Sequence, residues 1–174
     1  MIRQRLPLLG LAVVLALPVG CSKDTKSKRD PSGTVTKAGD WSTFDLRAGD
    51  CLLPPPDLKG DVENLPVVPC AENHTQEVFG LVKHPADAFP GMGELANFAD
   101  GKCVGELQTS LGVSPSDGFF VSYLLPSFDS WNKKDDRTVV CVLVFPKEDN
   151  HKGSVVADRK GAATPDSTTT TAAG

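Results

Sequence analysis

The chain has 174 residues, 40% of them hydrophobic and 6% aromatic, with a formal charge of −4 from 18 basic and 22 acidic side chains. That charge is uneven: residues 1–40 hold 7 basic and 3 acidic side chains, whereas residues 41–149 hold 8 basic and 17 acidic ones, a formal charge of −9. An acidic domain argues against a nucleic-acid partner, since phosphate contacts need Lys and Arg, and so few aromatic residues argue against a broad sugar-stacking surface.

In chain order, Arg3 and Arg5 precede an apolar stretch, Leu6 to Val19, that ends at Gly20-Cys21. The stretch is short for a membrane span, which needs roughly 20 apolar residues, and it matches a secretory signal. The small residue before Cys21 reads as a lipoprotein cleavage site, although Pro18 stands where an aliphatic residue is usual. Residues 1–20 are therefore expected to be removed. Cys21 would become the lipidated, palmitate-bearing N-terminus, anchored on the outer face of the cytoplasmic membrane. An ordinary secretory peptide with an incidental Cys is the alternative. Ser22 to Asp40 is polar and lacks apolar periodicity, so residues 21–40 read as a flexible spacer. Residues 150–174, with the run Thr168 to Thr171, read as a disordered tail.

Between them, residues 41–149 have the length of one domain. Trp41 to Leu46 alternates like a short strand and ends in the turn Arg47 to Asp50. Leu65 to Cys70 and Glu77 to Lys83 read as extended, the latter with Val78, Gly80 and Val82 on one face and Phe79 and Leu81 on the other. Leu95, Phe98, Ala99, Cys103, Leu107 and Leu111 recur at helical spacing, and Gly112 fits the C-terminal cap. Phe119 to Leu125 reads as a strand, Asp129 to Asp136 as a polar turn around Trp131, and Thr138 to Phe145 as a central strand buried on both faces. The order predicts an α+β fold: a small, mostly antiparallel sheet with one packed helix.

Four cysteines remain after export, and an even count in an oxidising compartment reads as a disulfide framework. Cys51 and Cys70 flank a proline-rich loop, whereas Cys103 lies in the helix and Cys141 in the central strand. This placement favours Cys51–Cys70 and Cys103–Cys141 over the other two pairings. Without a Cys-x-x-Cys spacing, a metal site is not expected.

The run Asp45-Leu46-Arg47-Ala48-Gly49-Asp50-Cys51 is followed by Val67-Val68-Pro69-Cys70 and His74-x-x-Glu77-Val78-Phe79-Gly80. Phe89-Pro90-Gly91, the helical Cys103, Tyr123-x-x-Pro126, Ser130-Trp131 and Arg137-Thr138-Val139-Val140-Cys141 come next. In this order the motifs over residues 44–145 resemble the septum-formation domain of actinobacterial exported and membrane proteins. Phe89 stands in place of a Tyr, and Lys133-Lys134-Asp135-Asp136 in place of a Gly-containing turn. The resemblance implies a cell-envelope role linked to septum formation and no enzymatic activity or cofactor.

His74 and Glu77 are the only pair in the sequence that invites a mechanism, as acid and base of an envelope hydrolase. With Asp50 they would alternatively serve a small-ligand or cation sensor. The structural reading is stronger: His74 bridging the loop after Cys70, and Glu77 taking a backbone donor or pairing with Arg137. Trp131, between polar neighbours, is a stacking platform or, more commonly, an anchor to the core. The sequence thus predicts a non-catalytic binding domain whose partners are the membrane, through its lipid, and an envelope protein or polymer.

Overall fold

The computed structural model describes residues 29–54, 62–146 and 151–162. Cys21, the signal segment and residues 55–61 of the proline-rich loop lie outside the described residues. Six strands form one sheet: β1 (Gly39–Ser42), β2 (Cys51–Leu52), β3 (Asn64–Val68), β4 (Gln76–Lys83), β5 (Phe120–Leu124) and β6 (Thr138–Val144). Their order is β1-β3-β2-β4-β6-β5, and every neighbouring pair is antiparallel. The helices are α1 (Met92–Leu111), α2 (Phe128–Lys134) and α3 (Val155–Ala162). This is the expected α+β fold with one principal helix, and both expected disulfides, Cys51–Cys70 and Cys103–Cys141, are present.

The helical repeat is realised as read. Leu95, Ala99, Cys103, Leu107 and Leu111 are buried along one stripe of α1, and Gly112 ends it in the left-handed conformation with φ 65°. The stripe packs on Phe79, Val139, Cys141 and Leu143 of the sheet. Each fully buried Leu contributes about 1.5–3 kcal/mol, and the Cys103–Cys141 bridge fixes the helix to the central strand. Strand β6 is buried on both faces because Val140 and Val142 enter a second core with Val35, Leu46, Leu52, Leu65, Val67 and Val78.

Strand β4 does not keep the alternation expected of it. A β-bulge lies between Val78 and Gly80, so Val78 pairs with Val142 and Gly80 with Cys141. The extra residue, Phe79, enters the helix-side core, whereas Val78 enters the opposite one. Gly80 also turns toward α1, where a β-carbon would overlap Cγ of Glu106. A bulge places successive residues out of phase, and period-two reading cannot register it.

Three further expectations are corrected. The polar turn over Asp129–Asp136 is a short helix, α2, closed at its start by a capping box between Ser127 and Ser130 and at its end by Asp135 in the left-handed conformation. The flexible spacer does not extend to Asp40. From Arg29 onward the chain bridges to Val35, and Val35 is buried under the sheet. The disordered tail does not begin at residue 150 either, because α3 contributes Val156 to the helix-side core. In both segments a few apolar side chains are enclosed by the sheet, too few to produce a periodic pattern.

Candidate functional site

The polar residues singled out in the sequence do not form an accessible site: His74 and Glu77 both meet the segment 151–156 and interact electrostatically, but both are buried. Glu77 is fully buried, and its carboxylate holds the start of α3: it accepts hydrogen bonds from the Ser154 hydroxyl and from the amides of Val155 (2.8 Å) and Val156 (3.2 Å). A carboxylate at a helix N-terminus satisfies orphan donors and complements the helix dipole. Burial pushes the Glu77 carboxyl above the ordinary range, and the Ser154, Val156 and Val155 hydrogen bonds pull it partly back. The expected backbone-donor role is therefore observed, but through α3, and Arg137 is not the partner.

His74 is also buried. Its Nδ1 lies 2.9 Å from the Glu72 carbonyl, and its amide donates to His151 O at 3.1 Å. Its ring meets Phe145 and His151 edge-on, and those two rings stack at 3.8 Å. Asp50 is committed elsewhere. Its two oxygens accept from both terminal nitrogens of Arg29, at 2.5 and 2.7 Å, and Oδ2 also accepts from the Arg47 amide. Among the described residues, no three His, Cys, Asp or Glu side chains gather with metal-holding geometry.

Trp131 is an anchor, with 1% of its surface exposed. Its Nε1 donates to Asp87 O at 3.0 Å, and Arg137 lies 4.1 Å above the ring. Arg137 also donates to the carbonyls of Ala86, Asp87 and Trp131, tying α2 to the β4–α1 connection. Their neighbours on α2 line an open groove.

That opening is a groove of about 970 Å³ on the sheet face opposite α1. Leu81, Leu124 and Val140 from β4, β5 and β6 line it, together with Val62, Phe89 and residues of α2. Four large apolar side chains on it are exposed: Phe44 (48%), Leu81 (42%), Met92 (53%) and Phe128 (63%). Its lysines are both paired, Lys133 with Asp129 and Lys134 with Glu63, and Lys134 also lies over the Phe44 ring at 5.1 Å. The rim is thus apolar, and each of its two lysines is paired with a carboxylate. Sequence reading missed this surface because its apolar residues come from several stretches far apart in the chain, from Phe44 to Val140.

A second open surface is the outer edge of β5, which among the described residues pairs with β6 alone and carries Phe120, 65% exposed. No described helix is long and apolar enough to cross a membrane.

A family model described as septum formation matches residues 48–174. The chain belongs to the septum-formation family. The match runs well past the 44–145 stretch that the motifs covered and takes in α3. The septum-formation chain is also 26% identical, over 120 residues, to the uncharacterized membrane proteins MT3943 and Rv3835 of Mycobacterium tuberculosis strains CDC 1551 and H37Rv. In each comparison 62% of this chain is covered, and it spans about a quarter (26%) of the relative's length. No solved structure gives a significant match.

Proposed function

We propose that this chain is a non-catalytic binding domain of the cell envelope, held at the outer face of the cytoplasmic membrane by lipid on Cys21 and acting in a process linked to septum formation. The observation that carries the reading is the concentration of exposed apolar side chains around one groove, on a domain closed by two disulfides. Contiguous exposed apolar surface marks an interaction site. Family membership and relatives named as membrane proteins support the envelope setting. The non-catalytic assignment is supported by His74 and Glu77, both buried and engaged in holding α3 and the loop after Cys70, which leaves the His74–Glu77 hydrolase reading without an accessible acid and base. The cation-sensor alternative loses Asp50 to Arg29 and Glu77 to α3.

An export-competent fluorescent protein fused after Gly174 tests this in dividing cells. Enrichment at septa that disappears in Cys21→Ser is expected; a uniform envelope signal removes the septal part of the proposal, and unchanged membrane retention of Cys21→Ser removes the lipid anchor.

A further inference from the structure

We propose that the outer edge of β5 pairs with β5 of a second copy of this chain, as an antiparallel strand centred on Ser122. This contact is separate from the groove and uses a surface that the groove leaves open.

The sheet has two outer strands, β1 and β5. An open edge presents unpaired backbone amides and carbonyls, and an extended backbone is the partner that satisfies both along the strand. The two edges differ in how they meet that hazard. β1 is four residues long and carries Gly39 and the exposed Asp40, features that blunt an edge. β5, Phe120-Val121-Ser122-Tyr123-Leu124, carries no charge, glycine or proline. Its register with β6 is unbroken from Phe120 opposite Val144 to Leu124 opposite Val140. Among the described residues nothing pairs with its outer side.

Charge and symmetry select a second copy as the occupant. Residues 41–149 carry a formal charge of −9, so two copies repel over most of their surfaces, and like charges opposed across strands destabilise a pair. The uncharged β5 meets its own copy without that penalty. Ser122 is the midpoint of the five-residue strand. An antiparallel pair about it sets Val121 opposite Tyr123 and Phe120 opposite Leu124, in both halves at once. Each pairing joins residues of one sheet face. Val121 and Tyr123 pack on the helix-side core, whereas Leu124 packs on the other core and the exposed Phe120 shares its side by alternation. Aromatic side chains opposite β-branched or aliphatic ones are favourable cross-strand neighbours, and two exposed Ser122 hydroxyls on the two-fold axis can bond. Such an isologous contact closes on itself. It consumes both unguarded edges and leaves the blunted β1 edges at the ends of the joined sheet. A contact of β5 with β1 would instead propagate as a filament, and Gly39 and Asp40 disfavour it. Five residues a side make a small contact, so the association is weak and depends on local concentration. It sets Phe120 of the second copy beside Leu124, which lines the groove.

The test places single cysteines in the full chain and reads disulfide-linked dimer on non-reducing gels, after mild oxidation of membranes from cells that express it. The parent sets the background, including any thiol at Cys21. Directly opposed Cα atoms lie about 4.5–5.5 Å apart, within disulfide reach, so Ser122→Cys should link about tenfold above the parent. Phe120→Cys alone should stay at background, because two copies of that position lie about 14 Å apart in this register, although Phe120 is exposed. Coexpressed Phe120→Cys and Leu124→Cys copies should link, whereas Leu124→Cys alone should not. A link at either Ser122→Cys or the mixed site supports the pairing. Background levels at both overturn it and leave the edge to a strand of another protein. Phe120→Cys alone linking as strongly as Ser122→Cys overturns the register and, with it, the symmetric contact.

Discussion

The two faces of the sheet are built from the same strands, and they are finished differently. The face under α1 is closed by a helix, a disulfide and α3, with Phe79, Val139, Cys141 and Leu143 meeting Leu107 and Val156. Among the described residues, the opposite face is closed over its β1-β3-β2 side by the segment from Arg29 to Leu46, whose Val35 and Leu46 are buried. Over β4, β6 and β5 it remains a groove rimmed by exposed phenylalanines, Leu81 and Met92. One face invests its apolar residues in stability, and the other leaves part of them available for contact. Substitutions under α1 or under the strap should therefore change folding, and substitutions on the open groove should change binding alone.

The sharpest way to break the covered face is to remove its bridge. Replacing Cys103 and Cys141 together by Ala should cost about 4 kcal/mol for a closed loop of this length, read as a lower urea midpoint; the sequence separation is 38 residues. Arg29→Ala attacks the closed half of the other face. It strands the Asp50 carboxylate, of which only 3% of the side chain is exposed, and breaking one side of a buried pair costs roughly 3 kcal/mol. If Arg29→Ala is instead as stable as the parent, the strap does not contribute to the fold.

Glu77→Gln sharpens the comparison from the α3 side. It keeps one acceptor oxygen but turns an amide nitrogen toward the Ser154, Val155 and Val156 donors, for an expected loss of about 1 kcal/mol at neutral pH. Its pH dependence is more diagnostic. Burial raises the Glu77 carboxyl above its ordinary value of 4.5 in the folded protein, so the native state holds the proton more tightly than the unfolded chain. The stability linked to this shift is fully present below the unfolded value and is lost as pH rises through the folded one. Urea titrations of parent and Glu77→Gln across that window should show the parent's advantage shrinking toward neutrality. The smallest folding effect belongs to the open face: Phe128→Ser, at a side chain 63% exposed, should leave the urea-derived stability within about 0.5 kcal/mol. A large loss of stability there would mean that the rim is structural.

Much of this contrast could be read in the sequence on one side only. The stripe from Leu95 to Leu111 and the run from Thr138 declare their burial because each element carries a whole face, and both cysteine pairings followed from where those elements lie. Local signals are weaker where contacts are few or distant. Arg29 finds Asp50 across 21 residues, and Glu77 finds Ser154 across 77, and neither separation leaves a periodic trace. Glu77 could be seen as a residue awaiting a backbone donor, but the donor lay in a segment that reads as a tail. The bulge at Phe79 changes which side chains share a face without altering composition. Asp129 to Asp136 hid a helix because its capping pair, Ser127 and Ser130, is short and polar, whereas Trp131 announced itself as an anchor by size.

The clamp between Arg29 and Asp50 has one more consequence, and it is mechanical. Under the proposed lipid anchor on Cys21, a pull between the membrane and the domain's other surfaces arrives, among the described residues, first at Arg29. The guanidinium grips Asp50, the Gly33 and Asp45 carbonyls and the Trp41 ring, so the load is shared between the β1 edge and the turn before β2. From there it passes to the Cys51–Cys70 bridge, a covalent stop. Tension on the tether would open the strap before it reached the helix-covered core, letting out the residues up to β1 as slack while the rest of the sheet stayed folded.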